Sequence, residues 1–319
     1  MTRRDFVRTV GAAAVAAGAT PLFAMPSADK DRSERVAETA VKRLYTSLTD
    51  PQKKAICFPF DHDLRRRISA NWKITKPRIG DDFYTAEQRK LIDQVLRGVS
   101  SPDGYERFQK QMKDDWGGFD RYHVAIFGEP GTGKFEFEMT GRHLTIRADG
   151  DSVERVAFGG PIVYGHGEGD PSENLFHYQT RKANEVFTAL DGKQREKALL
   201  TKAPKESEVP IQGKEGKYPG VPVGGLSGDQ KELVESVLRV VLAPYRKEDI
   251  DEAIRMLKAG GGLDKLHMAF YRAGDLDDDN VWDIWRVEGP TFVCHFRGAP
   301  HVHAYINVGI KAPRRRVNL

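Results

Sequence analysis

Residues 122–150 read "YHVAIFGEPGTGKFEFEMTGRHLTIRADG", and the fold turns on whether the glycine-rich middle opens a helix or closes a hairpin. Gly128 to Phe135, "GEPGTGKF", nearly spells the phosphate loop G-x-x-x-x-G-K-[S/T]. That loop needs a hydroxyl for Mg²⁺ and a helix whose N-terminus faces the phosphates. Phe135 stands at the hydroxyl position. Beyond it Phe135, Phe137 and Met139 alternate with Glu136 and Glu138, and Leu144 and Ile146 alternate with His143, Thr145 and Arg147. A period of two belongs to strands. Gly131, Thr132 and Gly133 therefore read as the turn joining two strands, and no nucleotide is expected.

This meander occupies about residues 121–165, and a second β-rich block, about 281–310, holds "VWDIWRVEG", "TFVCHFRG" and "HVHAYINV". Helices are announced by a recurring phrase: "LTDPQKKAI", "YTAEQRKLI", "LDGKQREKAL" and "LSGDQKELV". Each pairs a cap residue (Thr49, Thr85, Asp191, Ser227) with a glutamine three positions on (Gln52, Gln88, Gln194, Gln230), the spacing of a capping box. Unequal intervals between the phrases argue against a solenoid. Residues 203–225, "APKESEVPIQGKEGKYPGVPVGG", read as a mobile surface loop. The order helices, strands, helices, strands predicts an α+β fold: one domain over residues 25–319 in which the two β-blocks share a mainly antiparallel sheet.

The N-terminus "TRRDFVR" places Arg3 and Arg4 before Phe6 and Val7, and the weakly apolar "VGAAAVAAGATPLFA" follows. This is the pattern of a twin-arginine export signal with cleavage after Ala24. The expected partner is the twin-arginine translocase and the expected location periplasmic or extracellular. The apolar run is too short and too rich in Ala and Gly for a stable membrane span. Loss of residues 1–24 removes three basic side chains and one acidic one, taking the formal charge from +4 to +2. That balance gives no reason to expect a nucleic-acid partner. Cys57 and Cys294 would be exported together; they permit one disulfide, and their apolar contexts also suit buried free thiols.

The chemistry concentrates in the histidines. On a strand His301 and His303 project from one face, about 7 Å apart at Cα, and can converge on one ion. His295 shares that face if the turn between the strands is of odd length. His143 is the natural fourth ligand if the β-blocks share a sheet. Imidazole-rich sites favour zinc, copper or iron. Glu138 is a candidate general base near His143, and Arg142 a candidate for stabilising an anionic substrate. His166, in "VYGHGEGD", reads as an exposed loop residue, and His62 as part of a solvated charged run. Together these residues suggest an exported protein that binds a transition metal and acts on a small molecule by hydrolytic or oxidative chemistry. The alternative is a non-catalytic binding or metal-handling protein.

The blocks "YHVAIFGEPGTGKFEFEMTGRHL", "WRVEGPTFV" and "HVH", with "FPFDHDLRR", "RIGDDFYTAEQR" and "SSPDGY" upstream, resemble the secreted bacterial and fungal family known as domain of unknown function 3500. The resemblance spans most of the mature chain and implies no particular reaction. It implies a pattern F-G-x-P leading to G-H-H-L, then a Y-R-x-x-G-P strand with a glutamate, then an H-x-H strand. This chain has Arg142 in place of the first histidine of G-H-H-L, His295 at the position taken for the strand glutamate, and "AYINVG" after H-x-H where the family continues toward Arg-Asp.

Overall fold

The computed structural model describes residues 36–150, 152–276 and 279–311. The expected export signal, residues 1–24, lies outside them.

The chain runs through the same series of elements twice. The first pass is α1 (Val36–Ser47), α2 (Asp50–Ile56), β1 (Cys57–Phe58), α3 (Ala86–Val99), α4 (Pro102–Trp116), β2 (His123–Gly128), β3 (Phe135–Gly141), β4 (Leu144–Ala148) and β5 (Ile162–His166). The second is α5 (His177–Ala189), α6 (Gly192–Ala198), β6 (Leu199–Leu200), the added β7 (Val221–Pro222), α7 (Gly228–Leu242), α8 (Lys247–Ala259), β8 (His267–Tyr271), β9 (Ile284–Gly289), β10 (Phe292–Arg297) and β11 (Val302–Val308). The fold is α+β, as expected. Its eleven-stranded sheet runs β1-β2-β3-β4-β5-β11-β10-β9-β8-β6, with β7 also on β8. That order reads alike from either edge: β1 is parallel to β2 and β6 to β8, all other ladders are antiparallel, and β5 and β11 join the halves. The two β-blocks thus share one sheet. The second block begins earlier than expected, at β8, and α1, α4, α5 and α8 join the four expected helices.

All four capping boxes form. They also explain why the phrase recurs. Gln52 and Gln88, 36 residues apart, exchange side-chain hydrogen bonds of 2.9 and 3.1 Å; Gln194 and Gln230, also 36 apart, do the same at 3.3 and 2.8 Å. Each amide therefore caps its own helix and ties that cap to the next.

The strand alternation sorts side chains between two covers. Toward the helices point Val124, Ile126, Phe137, Met139, Trp285, Val287, Phe296 and Ile306, all in one large core. The other face is covered by two irregular straps, residues 59–82 on the first half and 201–225 on the second. Trp72 and Ile74 pack on Ala125 and Phe127, Val209 packs on Val163, Val293 and Tyr305, and Ala203 packs near Ala269 and Tyr271. The loop expected to be mobile is this second strap: Val209 is 1% exposed, and its carbonyl accepts from Asn307 at 2.8 Å. A sheet of this width cannot leave one face bare, so the loop is recruited as its cover.

"GEPGTGKF" is the β2–β3 hairpin connection: Gly128 pairs with Phe135, and no helix follows. Cys57 and Cys294 are both free. They sit on β1 and β10, six strand steps apart, or about 29 Å at the usual spacing, far beyond disulfide reach. No helix among the described residues is long and apolar enough to cross a membrane.

Gln88 is 2% exposed, and its amide serves Thr85, Ser47 and Gln52. Gln88→Ala strands several buried partners, so it is expected to lower unfolding free energy by about 2–3 kcal/mol. Gln194→Ala, at a more open pair, should cost about 1 kcal/mol. Denaturant unfolding of both variants checks the ranking; equal losses would refute the buried-pair account.

Candidate metal centre

His143, His301 and His303 come together from opposite halves of the chain. One ring nitrogen from each lies within 4.8 Å of the others. His303 is the second residue of β11 and is paired with Gly165 of β5; His301 immediately precedes the strand. The alternation with Thr145 and Arg147 puts His143 on the strand; it is instead the second residue of the two-residue turn between β3 and β4, with φ 57°. A left-handed backbone costs a non-glycine residue about 1 kcal/mol. It is held by the 2.6 Å hydrogen bond from His143 N to the Ala70 carbonyl of the first strap. On the other side of the turn, the Arg142 carbonyl accepts from Tyr122 Oη at 2.6 Å and Gln111 Nε2 at 2.9 Å.

Two carboxylates fix how the rings face. Asp115 Oδ2 lies 2.7 Å from His143 Nδ1, and the Glu206 oxygens lie 3.2 and 3.3 Å from His303 Nδ1. A carboxylate only accepts, so each Nδ1 carries the hydrogen and each Nε2 keeps its lone pair. Asp115 is itself fixed by Gln111 Nε2 at 2.6 Å and Gly167 N at 2.7 Å. Burial alone would raise both acids. The His143 and Gln111 hydrogen bonds prevail at Asp115 and lower it; at Glu206, His303 prevails, aided by Arg297 and His295, and holds the carboxyl down at about 2.

The trio then presents a hydrogen-bonding conflict. His301 Nε2 lies 3.1 Å from His303 Nε2 and 3.2 Å from Arg297 Nη2. Arginine only donates, so His301 Nε2 is also a lone pair, and two lone pairs face each other. A proton between them is opposed: burial, then His303 and His143, push His301 down to about 4, and burial chiefly lowers His303. A divalent cation resolves the conflict. Nitrogens bound to one tetrahedral zinc stand about 3.3 Å apart, close to the His301–His303 separation, while the whole trio lies within 4.8 Å. Histidine ligands that donate their second nitrogen to carboxylates are the usual supporting arrangement of such centres. The donor set fits a transition ion.

Of the four expected ligands, the structure brings three together. His295 does share the His303 face, as the odd-length turn required, but it pairs with Tyr305, one step beyond Arg297 and His303, and stands outside the trio. It is 2% exposed, and its Nδ1 has no hydrogen-bond partner among the described residues. Glu138 does not serve as a base beside His143. It is fully buried and receives Arg147 Nη1 at 2.6 Å, while Arg147 also binds Glu136 and the Arg65 carbonyl. Burial pushes Glu138 well above the carboxylate range, with Arg147 opposing. Arg142 does flank the trio, through the histidine that follows it.

His166 is not an exposed loop residue. It ends β5 at 2% exposure, with Nδ1 accepting from Leu175 N at 3.2 Å and Nε2 3.3 Å from Asp114. Its side chain faces the helices, where a polar ring needs both partners. His62 is half-buried and caps a short 3₁₀ turn through Leu64 N. Sequence reasoning missed Asp115, Glu206 and Arg297. "KDDW" at a helix end and "KESE" in a loop carry no sign of their distant partners.

An α+β sheet protein with a histidine trio buttressed by two carboxylates is thus the class that fold and site define. The chain belongs to the DUF3500 family, described as proteins of unknown function, whose model matches residues 30–307. No curated protein and no solved structure matches it.

Two expectations follow from the geometry. Burial, reinforced by Arg286, pushes His295 from its ordinary value near 6.5 down to about 3. Between those values the unfolded chain takes up a proton that the folded chain refuses, so this residue's contribution to stability is lost as pH falls below 6.5. His295→Gln should therefore flatten the decline of the urea midpoint between pH 6.5 and 4; parallel curves for variant and parent would contradict this. At the turn, His143→Gly should be more stable than His143→Ala by about 1 kcal/mol, because only glycine adopts φ 57° without strain. Thermal unfolding of the pair measures it.

Proposed function

We propose that the protein is an exported metalloprotein that binds one divalent transition ion through Nε2 of His143, His301 and His303. Acting on a small molecule by hydrolytic or oxidative chemistry is its function in this reading. The observation that carries it is the pair of Nε2 lone pairs 3.1 Å apart, one on a ring whose Nδ1 is engaged by Glu206 and the other facing Arg297. The ion would supply Lewis acidity or redox chemistry at a site with three protein ligands and His301 half-buried toward solvent. Zinc, copper and iron suit an all-imidazole set; magnesium and calcium, which prefer oxygen, do not.

Export rests on the twin arginines Arg3 and Arg4 and the apolar run that follows. The twin-arginine route moves folded proteins, which suits a centre assembled from residues 143, 301 and 303 and completed only by folding.

A second reading, a non-catalytic metal-handling or binding protein, is favoured by the state of the nearby acids. Asp115 and Glu206 are engaged by histidines and Glu138 by Arg147, so none is free as a general base.

Metal analysis of protein purified without chelator should find about one equivalent of transition metal, and chelation should lower the melting temperature. His301→Ala and His303→Ala should each abolish stoichiometric binding, while Asp115→Asn and Glu206→Gln should weaken it about 10- to 100-fold. Parent protein that neither carries nor takes up zinc, copper or iron would overturn the proposal. Turnover of ester, phosphoester or oxidisable substrates by loaded protein then separates the enzyme from the binder. Cell fractionation of the full chain and of an Arg3→Lys, Arg4→Lys double variant tests export: the variant should be retained.

A further inference from the structure

Two arginines stand at the trio, and Arg142 differs from two cations held elsewhere in the fold, Arg147 on β4 and Arg246 at the start of α8. Arg147 is saturated by Glu136, Glu138 and carbonyl oxygens, and Arg246 by Glu38 and Asp249. Arg142 has nothing comparable. Among the described residues its side chain makes no ion pair and no hydrogen bond, and its Nε is buried without a partner. Its position is nonetheless defined. A methyl group on Gly167 would stand 3.1 Å from His143 Cε1 and 3.4 Å from Arg142 Nη2, so guanidinium and imidazole flank the same glycine. Arg297 approaches from the other side. Its Nη2 is 3.2 Å from His301 Nε2, and its Nε is a loose 3.5 Å from Glu206.

The charges decide what such a site receives. Asp115 and Glu206 supply two negative charges, Arg142 and Arg297 two positive, and the histidines are neutral ligands. With a divalent ion the centre carries a net charge of about +2 in a partly desolvated setting, where unpaired positive charge is costly. An unpartnered guanidinium beside a metal is the arrangement that receives carboxylate and phosphate oxygens, through charge-assisted, often paired hydrogen bonds.

We propose that the small molecule taken by this centre is an oxyanion, bearing a carboxylate or phosphate group received by Arg142 and Arg297 beside the ion. The inference rests on the metal reading above and adds the substrate class to it. Arg142 is thereby a binding residue, not a structural cation.

The test uses the full folded chain loaded with zinc, its metal content measured before any anion is added. Inorganic phosphate and succinate are then titrated calorimetrically into parent, Arg142→Gln, Arg142→Lys and Arg297→Gln proteins. The parent should bind at least one of the two with a Kd at or below about 1 mM. Arg142→Gln and Arg297→Gln should each weaken binding about tenfold or more while keeping the parent's zinc stoichiometry, and Arg142→Lys should recover part of the loss. A response to phosphate alone, or to succinate alone, supports the inference and names the group. It is overturned if zinc-loaded parent binds neither anion at about 10 mM, if Arg142→Gln binds as the parent does, or if Arg142→Gln loses its zinc. A parent that takes up no zinc, copper or iron instead refutes the metal reading and the inference with it, and this shows in the metal analysis before titration begins.

Discussion

Five residues of β11, Val302 to Ile306, pair antiparallel with five of β5, and at that ladder two similar halves become a single sheet. Without it each half would end in a bare edge strand, an open template for pairing with other chains. The ladder also sets the register of the site. With His303 opposite Gly165, the start of β11 lies beside the end of β5, and Gly167, just beyond β5, reaches Asp115 and the His143 turn. A shift of one residue would turn His303 into the helical core and Ala304 toward the straps. The histidine trio is therefore a property of the junction, and neither half contains it alone.

The two halves show how one scaffold tolerates different chemistry. The β3–β4 connection is Gly141-Arg142-His143-Leu144, and the β9–β10 connection is Gly289-Pro290-Thr291-Phe292, each with its glycine paired to the last residue. Thr291 thus stands where His143 stands. Around Thr291 there is a pocket of about 480 Å³ lined by Gly260, Gln212, Ile310 and Lys311, with no histidine or acid from α8 in the place of Asp115. On the strap face the exchange runs deeper. Three residues before each turn glycine, one half has Glu138 and the other Arg286; four residues after each turn's second position, one has Arg147 paired to Glu138 and the other His295 beside Arg286. In the first a buried arginine binds Glu136 and Glu138 together. The second is a cation facing a ring that burial keeps neutral.

What was legible in the sequence was local. A cap and a glutamine three residues on specify a helix start through contacts inside one turn, so all four formed. Strand period two placed His301 and His303 on a common face without any tertiary information, while the face of His295 hung on the length of the turn. What was not legible depends on long separations. Asp115 lies 28 residues from His143 and Glu206 lies 97 from His303, and neither sits in a pattern that names its partner. The second strap misled for a related reason. Its Pro, Gly and Lys content describes a largely irregular chain, regular only at β7 and the 3₁₀ turn Val223–Gly225, but exposure is decided by the sheet beneath it. His166 failed on parity: it belongs to the strand, so it alternates inward with Ile162 and Tyr164, and its glycine neighbours gave no sign of that.

The placement of carboxylates argues for the order in which the site is built. Asp115 belongs to a helix on one side of the sheet and Glu206 to a strap on the other, and each touches one histidine through Nδ1. Neither contact requires an ion, so both rings are oriented by folding. The third ring, His301, has no carboxylate; its contacts are Arg297 and the other imidazoles. An ion arriving at the folded protein would therefore meet two nitrogens already aimed by carboxylates and one that is not. This division leaves the least constrained ring, His301, at the half-buried position and anchors the other two from opposite layers of the fold.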